Sequence, residues 1–345
     1  MMRQLRRLTH SVPALGPGVS AIAVYSEVTP DGMRDRPAAE SGFEGVACVD
    51  DSARLACLYI RIWRRYRADW ARRAALESLA FVRAMQTPEG GFINFLSDWD
   101  GTKNLAGRTS ASPTGPWLAR ACEALAAGGR AFEDERCTQA LRRAIPLLRL
   151  PTPHLDLRAV ALLAALEFPP ATEPVELAGC ASSWAQEIFD SRIGALLPDA
   201  RDSSAVHLWG HLQECALAEA GLRFGRADWT RAAQASSDLL LVPAAESAFP
   251  EHTSIPFDVS CTVRGLESVG RATGEGRYFH ASQLARAWFD GRNAAATPVF
   301  DAPRGLVHDG IDGGCVNANS GAEANIEYGL ALLAGMGARA RASGR

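Results

Sequence analysis

Residues 48 to 54 read Cys48-Val49-Asp50-Asp51-Ser52-Ala53-Arg54, two adjacent carboxylates where a loop turns into a strongly apolar segment. From Asp50 to Arg67 apolar residues recur at helical spacing, at Leu55, Leu58, Tyr59, Ile62, Trp63 and Tyr66. After a break at Ala68-Asp69 the pattern resumes from Trp70 to Met85, so the stretch predicts two antiparallel helices joined tightly. Aspartate is favoured at a helix start, where free N–H groups and the helix dipole attract a carboxylate. Two readings of the pair therefore stand: it only caps its helix, or it lies on the floor of a polar pocket.

The same unit returns along the chain. Pro116 to Ala127 and Phe132 to Leu148 are separated by Gly128-Gly129-Arg130; Leu155 to Leu166 and Val175 to Phe189 by a proline-rich turn; His207 to Phe224 and Trp229 to Leu241 by Gly225-Arg226-Ala227-Asp228. Phe257 to Ala272 and Tyr278 to Phe289 follow, and a last helix is expected from about Ala322 to Met336. Arg-Ala-Asp-Trp occurs at both 67–70 and 226–229, a trace of internal repetition. Turns within pairs are short. Links between pairs, at 87–112, 190–204, 242–256 and 290–320, are long and polar, and loops of that length in a compact domain are usually functional.

First helices start near 50, 113, 154, 204, 257 and 320, which predicts an all-α fold, an (α/α)6 toroid of helical hairpins with its long polar loops on one face. An open superhelix is the competing architecture. Gly91 to Phe95 and Pro298 to Asp301 are the candidate short strands. Residues 1–42, rich in proline, are expected as an irregular arm, 43–337 as the toroid and 338–345 as a disordered tail. The last outer helix is missing, so either the arm covers that gap or the ring is incomplete.

Composition narrows the function classes. In 345 residues, 36 basic and 39 acidic side chains give a formal net charge of -3, and they are spread without long blocks. The arginines form no evident stripe, so nothing points to nucleic acid. No apolar run is long enough for a membrane span or a secretory signal, which leads to the expectation of a cytoplasmic protein with no membrane partner. Cysteines such as Cys57, Cys122 and Cys215 lie on apolar helix faces without any C-x-x-C pair, as buried free thiols do.

Three segments carry a resemblance: Val49 to Arg54; Gly91-Phe92-Ile93-Asn94-Phe95 with Trp99 and Gly107-Arg108; and Ala287 to Asn293 with Phe300-Asp301, Asp309-Gly310-Ile311 and Asn317 to Glu323. Together they resemble the helical-toroid region found beside some bacterial glycosyltransferases and, more broadly, the six-hairpin glycosidase superfamily. The resemblance implies a carbohydrate ligand, a glycosyltransferase partner and no cofactor. The loop Asn104 to Ser112 departs from that pattern, because it lacks the acidic residues and histidine expected beside Gly107-Arg108.

Glycoside hydrolysis needs one protonated and one ionised carboxyl group across the scissile bond. The candidates are Asp50 or Asp51 as general base and Glu323 or Asp258 as general acid. Adjacent aspartates repel, and apolar surroundings raise one pKa. Ser320-Gly321-Ala322-Glu323 also matches a capping box, with the glutamate bonding back to the Ser320 amide. Asn94, Asn317 and Asn319, with Asp309 and Asp312, are of the kind that binds sugar hydroxyls. Trp99 and Trp209, with Phe43 nearby in the same kind of loop, offer faces for pyranose stacking. Arg54 and Arg108 either pair with the aspartates or hold a substrate carboxylate.

His207, His211 and Glu214 share one face if the helix includes them all, but they lack the H-E-x-x-H order of a zinc site, so no metal is expected. The expected function is an inverting glycoside hydrolase acting on an oligosaccharide or polysaccharide. The alternatives are a non-catalytic glycan-binding scaffold beside a glycosyltransferase, or an epimerase or lyase whose rate depends on the histidines.

Overall fold

The computed structural model describes residues 1–36, 44–168, 172, 174–250 and 253–342, with 336–342 as backbone alone. Phe43 lies outside the described residues. The chain divides into two compact units: 1–150 with 167–178 and 318–326, and 151–166 with 179–317 and 327–345.

In the first unit, α1 (Met2–Leu8) is followed by two hairpins, β1 (Thr9–Ser11) with β2 (Ser20–Ile22) and β3 (Ser26–Thr29) with β4 (Gly32–Asp35). The described part of the arm, 1–36, is thus largely regular, contrary to the expectation from its prolines. Its order comes from pairing with distant backbone: Val24 N–H bonds the Val46 carbonyl, and Ser320 and Ala322 N–H bond Ser26 and Val24. Buried Gln4 donates to the Ser320 carbonyl at 2.8 Å. The arm therefore anchors the segment that leads into the last helix.

The strand β5 (Ala47–Cys48) leads directly into α2 (Val49–Tyr66), whose Asp51 N–H is accepted by the Cys48 sulfur at 3.3 Å. Helix α2 ends at Arg67 in the left-handed region and packs on α3 (Asp69–Ala84) and α4 (Pro116–Phe132). Strand β6 (Phe95–Leu96) pairs with β5, a shorter strand than the Gly91–Phe95 segment suggested. Helix α5 (Glu135–Leu148) starts at Asp134, which accepts the Arg136 N–H at 2.9 Å.

Helix α4 runs through Gly128-Gly129, where the sequence suggested a turn. Each glycine costs a helix about 1 kcal/mol. Both sit against neighbours: a Cβ on Gly128 would lie 2.5 Å from Leu79 Cδ1, and one on Gly129 2.8 Å from Thr138 Oγ1. Close packing outweighs the propensity, and the real turn falls at Glu133-Asp134.

The second unit contains α6 (Leu155–Leu166), α7 (Cys180–Asp190), α8 (Gln213–Phe224), α9 (Ala227–Leu239), α10 (Leu241–Glu246), α11 (Pro256–Thr273) and α12 (Gly276–Arg286). First helices pack on first helices, α6 on α8 and α8 on α11, while α9 and α12 pair with the helix before each. Two hairpins follow, β7 (Phe300–Asp301) with β8 (Leu306–Val307) and β9 (Gly310–Asp312) with β10 (Cys315–Asn317). Helix α13 (Ala322–Ala342) begins in the first unit and continues in the second. Its backbone is helical well into the segment expected as a disordered tail, whose last residues, 343–345, lie outside the described residues.

One boundary matters for chemistry. The expected helix from His207 begins only at Gln213, so His207 lies in a loop and does not share a helical face with His211 and Glu214. Asp199 causes this: its carboxylate accepts the His207 N–H at 2.7 Å and the Gln213 side chain at 2.8 Å, fixing the chain before the helix.

Candidate functional site

Two polar clusters stand out, one in each unit. In the first unit Arg54 Nη2 lies 2.7 Å from Asp51 Oδ1, 2.9 Å from Asp50 Oδ2 and 3.1 Å from Glu323 Oε2. Arg120 Nε reaches the other Asp50 oxygen at 2.8 Å. The sequence-predicted partners Asp50, Asp51, Arg54 and Glu323 are thus brought together across 269 residues of sequence. What joins them is the Arg54 guanidinium, one nitrogen of which is within hydrogen-bond distance of all three carboxylates.

The three carboxylates differ in access. Asp51 is 3 % exposed, and burial pushes its pKa up to about 6 against the pull of Arg54, with Asp50 and Glu323 adding to the rise. The Asp50 carboxylate is partly open, and that of Glu323 is 40 % open. The Ser320 amide that a capping box would use is taken by the Ser26 carbonyl, and the Glu323 carboxylate turns to Arg54 instead. Asn94 is buried and structural: its oxygen accepts the Asp50 N–H and its amide donates to the Thr109 carbonyl.

In the second unit His211 is buried between two carboxylates. Its Nδ1 lies 2.6 Å from Asp199 Oδ1 and its Nε2 3.0 Å from Glu214 Oε1. Burial alone lowers the pKa of an imidazole, but the Glu214 charge and the Asp199 hydrogen bond outweigh it and push His211 up to about 10. Ser236 also donates to Glu214, at 2.6 Å. With both ring nitrogens engaged, His211 is a fixed cation, not a metal ligand or a base.

His207 is placed differently. Its ring is parallel to that of Trp209, centroids 3.6 Å and planes 7° apart, and Trp209 is half exposed. Nδ1 lies 2.6 Å from the Trp209 carbonyl, which only accepts, so this nitrogen carries the hydrogen. In the neutral ring the lone pair is then on Nε2, which bonds nothing among the described residues. Burial raises the pKa of Asp156, at the start of α6, with the Asp199 charge adding to the rise and His154 and His207 opposing it.

The remaining predicted residues make other contacts. Trp99 rests on His10 of the arm, ring centroids 4.3 Å apart. Arg108 is exposed, with no ion pair among the described residues. Asn319 donates to the Tyr25 hydroxyl at 2.5 Å. Asp258 is half-buried, and its carboxylate accepts the Ile255 N–H at 2.8 Å at the start of α11. Asp309 precedes β9, and in the hairpin itself Asp312 stands opposite Cys315 and Asn317 opposite Gly310. Asp156, Asp199 and His154 were not singled out from the sequence; their only signal was a place in the loops before first helices.

No protein-family model matches the chain, and no curated protein matches it in sequence. Solved structures do. A sugar epimerase from a ruminal bacterium superposes with a TM-score of 0.74 at 12 % identity, over 97 % of this chain and 94 % of that one. The fold is the (α/α)6 toroid. Cellobiose 2-epimerase from Bacillus thermoamylovorans aligns with this toroid at a TM-score of 0.70 and 10 % identity, over 96 % of this chain and 95 % of that chain. A GH76 α-mannanase from Bacteroides thetaiotaomicron aligns at 0.62 and 8 % identity, over 87 % and 88 %. At such identities the likeness concerns the fold alone.

Proposed function

We propose that this toroid is a carbohydrate-active enzyme that transfers a proton at the carbon beside a sugar carbonyl, as epimerases and isomerases do. The observation that carries the reading is the His207–Trp209 stack, with Nδ1 committed to a carbonyl and Nε2 left for chemistry. The exposed indole supplies an apolar surface for sugar C–H groups beside a base.

In this scheme Nε2 takes the proton from the carbon next to the carbonyl, and the electron pair moves into an enediolate. Nε2, whose proton exchanges with water, returns a proton to the same carbon after the enediolate turns its other face to the histidine, which gives the epimer. Return to the neighbouring carbon gives the aldose–ketose isomer. Asp199 holds the His207 backbone and, through His211 and Gln213, the start of α8. Asp156, with its raised pKa, is the candidate proton donor to the carbonyl oxygen.

Epimerases and an isomerase among the structural neighbours are in keeping with this chemistry. Inverting hydrolysis is the second reading, favoured by the accessible Glu323 carboxylate and the raised pKa of Asp51. It ranks lower because Arg54 is paired with both. A glycan-binding role beside a glycosyltransferase would use Trp209 without His207.

The test is incubation with mannose, glucose, cellobiose and mannobiose, followed by separation of the products. Epimer or ketose formation that disappears in His207→Asn supports the proposal. Release of monosaccharides from the disaccharides, unaffected by His207→Asn, transfers the assignment to the carboxylates.

A further inference from the structure

The turn between α2 and α3 reads Arg61-Ile62-Trp63-Arg64-Arg65-Tyr66-Arg67-Ala68-Asp69-Trp70-Ala71-Arg72-Arg73, six arginines against one acid in a chain whose net charge is -3. The arginines do cluster here, contrary to the impression from the whole sequence. Arg64 is neutralised by Glu167 at 2.9 Å. Arg65, Arg67, Arg72 and Arg73 are exposed and make no ion pair among the described residues.

Three guanidinium groups lie over aromatic rings. The Arg67 guanidinium lies 4.5 Å from the Trp63 ring centroid, Arg72 5.6 Å from Phe132, and Arg6 of the arm 5.6 Å from Trp70. Trp63 and Phe132 are themselves in edge contact at 5.1 Å. A stacked guanidinium has lost part of its freedom and presents its N–H edges outward, in the fork that fits phosphate oxygens. Tyr66, 55 % exposed, stands at the tip of the hairpin among them.

We propose that this hairpin end docks on an anionic phospholipid surface. The rings are covered by guanidinium groups, so they are not free to stack on nucleic-acid bases. The tip of a hairpin meets a plane with several side chains at once, whereas an acidic protein segment is gripped in a groove. Arginine and tyrosine both suit the bilayer interface, with apolar stems inward and polar ends at the headgroups. No helix among the described residues is long and apolar enough to cross a membrane, so the association is peripheral and electrostatic.

The test is cosedimentation of the full chain with vesicles of phosphatidylcholine alone or mixed with phosphatidylglycerol, at low and high salt. Binding is expected only with phosphatidylglycerol and is lost at high salt. Replacing Arg65, Arg67, Arg72 and Arg73 by glutamine should weaken partitioning by about fivefold per residue, with the melting curve unchanged. Arg231→Gln, on the second unit, should change nothing. Failure to bind phosphatidylglycerol vesicles at low salt, or equal binding by the quadruple variant, overturns the proposal. So does tighter binding to poly(U) than to the vesicles.

Discussion

His207 lies parallel to Trp209 with ring centroids 3.6 Å apart, and the carbonyl of the same tryptophan fixes which nitrogen of the histidine bears the hydrogen. In the proposed reaction this one loop supplies both the apolar platform and the base. The two roles separate experimentally. Trp209→Ala should raise KM about tenfold, from the ~1–1.5 kcal/mol of an aromatic contact, with a smaller effect on kcat. His207→Asn should abolish kcat while leaving sugar binding, measured calorimetrically, nearly intact.

His211 has the opposite character. His211→Asn leaves Asp199 and Glu214 without their buried cation and should cost roughly 3–5 kcal/mol in denaturant unfolding. Because its folded pKa is about 10, above its unfolded value, the stabilisation is fully present below about pH 6.5 and fades as pH rises through 10. The unfolding free energy of the wild type should fall over that range. The slope should be largely absent in the variant.

Arg54→Ala should be more harmful in base than in acid. Without the guanidinium, Asp50, Asp51 and Glu323 face one another, and the cost should reach about 3–5 kcal/mol at pH 8 but shrink at pH 5, where Asp51 takes a proton. The sign follows from the raised pKa of Asp51, about 6: its favourable contribution is present at low pH and is lost as pH rises through 6. Asp51→Asn should flatten the wild-type stability profile between pH 4 and 6.

Legibility in the sequence followed the range of the interactions. Helix α2 was readable because Leu55, Leu58 and Ile62 repeat at the helical period; that every residue from Asp51 to Ile60 is buried, on all sides of the helix, was not, because its neighbours supply that burial. The turn at Gly128-Gly129 was misplaced because the compensating neighbours, Leu79 and Thr138, are supplied by other helices. The pairing of Arg54 with Asp50 and Asp51 was among the expectations, but not that the same guanidinium would also reach Glu323. Asp199 was missed because it governs His207 and His211 from a loop with no periodic signal, and its pull on the backbone is what shortens α8.

The most direct test is incubation of the protein with mannose, glucose, cellobiose and mannobiose in D2O, followed by proton NMR. Solvent deuterium should appear at the carbon beside the carbonyl of the sugar that is turned over, and His207→Asn should abolish it. Turnover without deuterium at that carbon, or incorporation that survives His207→Asn, would contradict proton transfer by this histidine.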